Sequence, residues 1–276
     1  MHDPATSSAT AVRSRDQCQV VELRRYALHP GRRDTLIDLF DREFVETQEA
    51  LGMSVLGQFR DLDDPDSLVW MRGFACMETR KDALESFYGG PVWRQHARAA
   101  NATMISSDNV LLLRPLSPLE HDPSRRARLG STEGARGLLA VTILPLAHAT
   151  AAQVPELFRE LIEPALRDAG LRVFATYASE HSENTFPALP VREGEDFFIR
   201  MSLFEDEADH ARSVRALERS SVWWAASETL AAHLEGDEEI LRLHPTARSA
   251  LHAERERLSG PSPTAARLRP AASHGR

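Results

Sequence analysis

Lysine is almost missing from this chain. Lys81 is the only lysine among 276 residues, and the remaining basic charge is arginine. That bias is expected of a GC-rich coding genome rather than of a chemistry that needs guanidinium groups. Lysine and arginine number 33 against 41 aspartates and glutamates, for a formal net charge of −8. A nucleic-acid surface needs a basic patch, so that class of partner is not expected. Cysteine is scarce too, with only Cys18 and Cys76. Two thiols make neither a disulfide framework nor a metal quartet, and they fit a reducing, cytoplasmic setting. No run approaches the ~20 apolar residues that span a bilayer, so no membrane partner is expected. The opening MHDPATSSATAVRSRDQ has no apolar secretory stretch and reads as a disordered tail over 1–18.

The familiar catalytic signatures are also missing. There is no G-x-S-x-G elbow, H-E-x-x-H, C-x-x-C, Walker loop or G-x-G-x-x-G. Serine hydrolases, zinc peptidases, nucleotide hydrolases and Rossmann dehydrogenases are set aside on that ground. Cofactor-free chemistry survives, because it needs only a shaped pocket and a few polar groups.

What the chain does contain is a repeat. FDREF, EALGM and GQF, read from Phe40, are answered from Phe158 by FRELI, DAGLR and ATY, 118 positions later. Further on, Phe74 answers to Phe204, Val92-Trp93 to Val222-Trp223 and Leu113-Arg114-Pro115 to Leu243-His244-Pro245, now 130 positions apart. The widening marks an insertion of 12 residues around Glu180–Pro187. A repeat this long is a duplicated domain rather than a solenoid unit. Composition agrees, since 42% hydrophobic and 27% charged is usual for a globular chain.

Periodicity sets the order of elements. Val20–Tyr26 alternates as a strand, Pro30-Gly31 turns, and Leu36, Phe40, Phe44, Thr47 and Leu51 follow at helical spacing to a cap at Gly52. Met53–Arg60 and Leu68–Phe74 form a hairpin; a helix over Thr79–Phe87 breaks at Gly89-Gly90-Pro91, resumes from Trp93 to Ala100, and Val110–Arg114 is the fourth strand. The second half begins at Leu138–Leu144, with a helix over Val154–Ala169, strands Leu171–Tyr177 and Phe197–Phe204, helix Ala208–Leu234 and strand Ile240–Leu243. The expected class is α+β: two tandem ferredoxin-like βαββαβ repeats, 19–115 and 137–250, packed sheet to sheet as an intrachain dimeric barrel. A linker over 116–136 joins them, and 251–276 is read as a second tail.

The run Glu22-Leu23-Arg24-Arg25-Tyr26, then Pro30-Gly31, EALGMSVLGQFRDLDDPD, VWMRGF, FYGGPVW and NVLLLRP resembles the NIPSNAP family of the dimeric α/β-barrel superfamily. NTFPALPVREGEDFF, 184–198, resembles the degenerate partner repeat of bacterial two-repeat members. The resemblance covers roughly 20–251 and implies a fold more than an activity, since the superfamily includes cofactor-free monooxygenases, isomerases, lyases and haem proteins.

Three places carry candidate chemistry. Glu22, Arg24 and Tyr26 share one face of the first strand by period two, as do Leu56, Gln58 and Arg60 on the second and Trp70, Arg72 and Phe74 on the third. Together they would clamp an anionic or enolic substrate, with arginine as the fork and tyrosine as proton donor. Alternatively they form a polar interface with the second repeat. The next place is the helix carrying Trp93, His96 and Asn101, where His96 is either a general base or a solvated residue. Trp93 recurs as Trp223 and suggests packing, whereas His96 is answered by Ala226. The inserted loop is the third, with Asn184 and Arg192 as substrate contacts if it is a lid; capping a sheet edge or an oligomer contact is the other reading.

No metal site and no cofactor are expected. A haem would call for an axial ligand such as His29, His96, His181 or His210, and none of these stands in a haem-specific context. Two functions stand: a cofactor-independent oxygenase, isomerase or lyase acting on an apolar or aromatic metabolite, or a non-catalytic ligand-binding or adaptor protein. A homodimer of such pseudo-dimers is the expected assembly.

Overall fold

The computed structural model describes residues 18–117, 123–131 and 135–253. Nearly all of both expected tails, and part of the expected linker, lie outside those residues.

β1 (Val20–Leu28) is followed by α1 (Arg33–Leu39), a π-helical turn at Phe40–Phe44 and α2 (Val45–Ala50) as one continuous helix. It ends at Gly52, whose φ of +87° only glycine adopts without strain. β2 (Ser54–Asp61) and β3 (Ser67–Phe74) make the hairpin, then α3 (Met77–Tyr88), α4 (Pro91–Asn101) and β4 (Met104–Pro115) complete the first half. Pro91 sits at the start of α4, where its missing N–H costs nothing. β4 begins six residues before the expected Val110, a stretch not read as strand because Ser106–Asn109 is polar, partly exposed and carries no apolar alternation.

The second half follows the same path. β5 (Leu138–Leu146), α5 (Val154–Leu157), a π-helical turn at Phe158–Ile162, α6 (Glu163–Asp168), β6 (Val173–Ser179), β7 (Asp196–Phe204), α7 (Glu207–Glu218), α8 (Ser221–Ala231) and β8 (Glu239–Pro245) succeed one another. The helical region expected over about Ala208–Leu234 consists of two helices parted at Ser220, whose hydroxyl accepts from the Trp223 N–H and caps α8. Both π-helical turns fall at matching positions, so the extra residue in the helix belongs to the duplicated plan.

The strands close into one barrel in the order β1-β3-β2-β8-β5-β7-β6-β4. The halves join edge to edge at two seams, β2 with β8 and β4 with β6. Leu23, Phe59, Val69 and Met71 from the first half meet Val141, Tyr177, Ile199 and Met201 from the second inside the barrel. Helices cover the outside of each half over separate cores. Strands buried on both faces should read as continuous apolar runs. β1 breaks that rule, because Glu22 and Arg24 lie in it with no solvent exposure.

Candidate functional site

Glu22, Arg24 and Tyr26 point outward from the barrel into the layer under the first half's helices, where Tyr26 and Trp70 belong to the sheet–helix core. These groups do not face the barrel interior, where the two halves meet through apolar side chains; the layer's contact with the second half runs through Arg80 to Asn184 and Thr185.

One carboxylate organises the layer. Glu22 Oε2 accepts from Arg24 Nη1 at 2.8 Å and from Arg72 Nε at 2.7 Å, while Oε1 accepts from Arg80 Nε at 2.7 Å. All four side chains have 0% exposure. Burial alone would raise the Glu22 carboxyl, but Arg72, Arg24 and Arg80 together hold it far below the usual carboxylate range. Arg72 also donates to Gln48 Oε1 at 3.0 Å, and Arg24 Nε donates to the Tyr26 hydroxyl at 3.1 Å. The Arg24 guanidinium lies 5.6 Å from the Tyr26 and Trp70 rings, and that of Arg72 lies 5.1 Å from Trp70. Three guanidinium groups thus face one carboxylate. Nη2 of each, with Trp70 Nε1, is buried without a hydrogen-bond partner among the described residues.

Beside this cluster is a small cavity of about 30 Å³ whose walls include Tyr26, Phe40, Phe44, Trp70, Tyr88 and Trp93. The rings meet edge to face, with Phe40–Trp70 and Tyr88–Trp93 centroids each 4.8 Å apart. Burial raises the Tyr88 hydroxyl above its usual value, the neighbouring Arg72 opposing, so it stays protonated.

The inserted segment between β6 and β7 crosses from the second half onto this site. It follows the β4 edge, with the Glu180 N–H donating to Leu112 O at 2.8 Å and the Arg192 N–H to Val110 O at 2.8 Å. Arg80 Nη1 donates to Asn184 Oδ1 at 3.1 Å and to Thr185 Oγ1 at 3.4 Å. Phe186 stacks on Tyr88 at 5.7 Å and 23°, and Leu189 and Val191 pack on the same core. The segment thus borders a sheet edge and lies over the first half's cluster.

The expected residues divide into groups. Arg24, Tyr26, Trp70 and Arg72 come together, and Trp93 and Asn184 border them. A bulge between Val55 and Gly57 shifts β2, so Leu56 turns into the barrel interior instead of sharing a face with Gln58 and Arg60. Gln58 is buried against Asp41, 3.4 Å away, and Arg60 pairs with Asp34 at 2.6 Å in a separate cleft. His96 faces Glu43 at 3.6 Å and the Phe44 ring, outside the cavity walls. Asn101 is exposed at the end of α4. Arg192 pairs with Glu195 at 2.8 Å and stacks over Phe197 at the barrel end, away from the cluster. Gln58, Arg60, His96, Asn101 and Arg192 fall outside the constellation because strand parity and helix spacing fix a face, not a depth or a partner. None of His29, His96, His181 and His210 borders the aromatic cavity; His181 bonds Asp196 at 2.9 Å and His210 meets the Phe204 ring.

Arg80, Gln48, Tyr88, Thr185 and Phe186 were not foreseen. Arg80 had a readable signal, since it shares the apolar face of α3 with Ala83, Leu84 and Phe87. A charge there implies a buried partner. Asp41 was also missed. It lies in the π-helical turn beside Asp38, Arg60 and Arg248 in a cleft of about 330 Å³, and its carboxyl is pushed up to about 6, chiefly by burial.

Residues 21–118 match the family model NIPSNAP, so the first half is a NIPSNAP domain. No curated protein matches the chain. Among solved structures, a candidate monooxygenase from Fusobacterium nucleatum is 6% identical with a TM-score of 0.55, covering 87% of this chain and 99% of that one. A candidate monooxygenase from Lactobacillus acidophilus is 10% identical with a TM-score of 0.52, covering 86% and 100%. A NIPSNAP family protein from Agrobacterium tumefaciens is 22% identical over 37% of this chain and 98% of its own, with a TM-score of 0.34. At such identities the two full-length likenesses establish the fold, a mixed α/β barrel, and leave activity open.

Proposed function

We propose, from a chain whose first half is a NIPSNAP domain, that the sheet–helix layer of that half binds an apolar or aromatic metabolite and transforms it without a cofactor. Each half is taken as one ferredoxin-like repeat, supported by the fourth-first-third-second strand order in both. The observation that carries the reading is the buried Glu22–Arg24–Arg72–Arg80 cluster against an aromatic cavity. Dry ionic groups cost stability, and a fold does not need them to close. Tyr26 is the proton donor in this reading. Its oxygen accepts from Arg24 Nε, which leaves its own O–H to point toward the cavity it lines. The guanidinium beside it offsets the charge left on the oxygen as the proton moves. Enclosure by the inserted segment keeps water out, which suits oxygenase, isomerase or lyase chemistry alike. The fold shared with two candidate monooxygenases is in keeping with this class. The reading uses no cofactor, and none of His29, His96, His181 and His210 is among the residues lining the cavity. A cytoplasmic location is part of the proposal; no helix among the described residues is long and apolar enough to cross a membrane.

The second reading, a non-catalytic ligand-binding or adaptor protein, is favoured by the closure of the site, whose cavity is only about 30 Å³. Thermal-shift screening with hydroxyaromatic and polyketide-like compounds tests both. A ligand present at about 100 times its Kd should add ~2.7 kcal/mol of stability. Tyr26→Phe should keep that shift and slow turnover by about 10²-fold or more. Binding without turnover would favour the second reading, and uniform indifference to the whole panel would sink both.

A further inference from the structure

The cluster has a charge surplus with a direction. Glu22 spends both oxygens on three guanidinium groups, and Tyr88 keeps its proton, so two positive charges stay unbalanced in a region without solvent. The cluster's buried donors without a partner among the described residues are Nη2 of Arg24, Arg72 and Arg80 and Nε1 of Trp70. They are donors only, so they call for oxygens rather than for a cation. Trp70 belongs both to this donor set and to the aromatic wall, which places the anion's seat at the edge of the cavity.

Size supplies the second constraint. A cavity of about 30 Å³ holds water but not a ring, so an aromatic ligand needs a wall that moves. The helices and sheet are tied into the cores around them. The inserted segment is held to the cluster by two side-chain bonds to Arg80 and by Phe186 on Tyr88. Thr185 also donates to Met77 O, and Met77 borders an open cleft of about 590 Å³ together with Glu180 and Ser182. Lifting Asn184–Phe186 would join that cleft to the cluster.

Resting on the binding reading above, we infer that the ligand is an aromatic acid or enolate, its anionic oxygens held by Arg24, Arg72 and Trp70, and that Asn184–Phe186 is the gate through which it passes. Fork-shaped guanidinium donors match a carboxylate's paired oxygens, and the rings take the flat body.

The probe is intrinsic fluorescence, because Trp70 and Trp93 border the cavity. The full chain is titrated with benzoate and 2-naphthoate and, in parallel, with the matching neutral amides. The acids are expected to bind at least about tenfold tighter than the amides, which corresponds to ~1.4 kcal/mol. Equal affinities would overturn the anionic assignment while leaving the cavity reading in place. No quenching by any of the four would overturn both. Substitution of the buried arginines risks the fold, so the gate is tested with Phe186→Ala, which leaves the cluster untouched. Stopped-flow association should quicken several-fold in that variant with the acid-over-amide preference retained. An unchanged association rate would overturn the gate.

Discussion

Placed side by side, the two halves share a backbone plan and differ in what they bury. Where the first half has Glu22, Arg24 and Tyr26, the second has Ala140, Thr142 and Leu144. Gln48 is answered by Leu166, Arg72 by Ser202 and Arg80 by His210, while Phe74 and Trp93 recur as Phe204 and Trp223. The second half's layer is an ordinary apolar core of Leu138, Leu144, Phe158 and Phe198. One buried arginine stands there, Arg200 at the position of Trp70, and burial pushes it down to about 10 with only Glu238 opposing. The same topology is therefore built once around hydrocarbon and once around ions. The residues common to both halves are those the fold requires, and the ionic set is an addition that stability alone does not explain.

The sharpest way to break this comparison is Glu22→Ala. Three guanidinium groups would be left in a dry layer, and denaturant titration should show a loss of ~3–5 kcal/mol. Grafting the second half's residues, Glu22→Ala with Arg24→Thr, Arg72→Ser and Arg80→His, should lose less than the single change. If the graft proves the weaker protein, the ionic cluster is structural after all. The carboxylate's sign is also testable. Its folded pKa is depressed, so its contribution is complete above the unfolded value and is lost progressively as pH falls from there through the folded one. The wild type should lose stability steadily as pH drops below about 4.5, whereas Glu22→Gln should start lower and vary less with acid.

Phe186→Ala should cost about 1–2 kcal/mol, less than for a fully buried ring, and its counterpart in the first half does not exist because that hairpin is short. Asp41→Asn has the opposite sign. The folded carboxyl is raised to about 6, so stability falls as pH climbs from about 4 to 6, and the amide should remove that decline. Since the group is partly exposed, the gain at pH 7 should be on the order of 1 kcal/mol. His96→Ala should change stability by less than about 0.5 kcal/mol. A large loss of turnover in that variant would return the histidine to the site.

Much of this was legible beforehand. Period two placed Arg24, Tyr26, Trp70 and Arg72 on one face, because parity follows directly from extended backbone. The spacing change located the insertion to within its hairpin. What stayed hidden depended on neighbours distant in the chain. The bulge at Val55–Gly57 reversed Leu56 without any turn residue to announce more than Gly57 itself. The destination of Asn184–Phe186 depends on β6 lying against β4, a seam that only barrel closure creates. Arg60, Asn101 and Arg192 were drawn in by charge or amide chemistry, and each instead ends at the surface or in a local pair.

The seams have a further consequence. β5 and β7 are matched over nine residue pairs and β1 and β3 over eight, but β2–β8 and β4–β6 over three each. A barrel with two thin joints should breathe along them, and amide exchange should find its earliest sub-global opening there rather than within either half. Both joints are extended a little past their paired residues, by Glu180 and Arg192 on Leu112 and Val110 at one and by Leu62 and Thr246 on Arg242 and Gln58 at the other. Deuterium would then enter Phe59, Asp61 and Leu113 before the central amides of β5 and β7, a clock for which the barrel's own stitching sets the order.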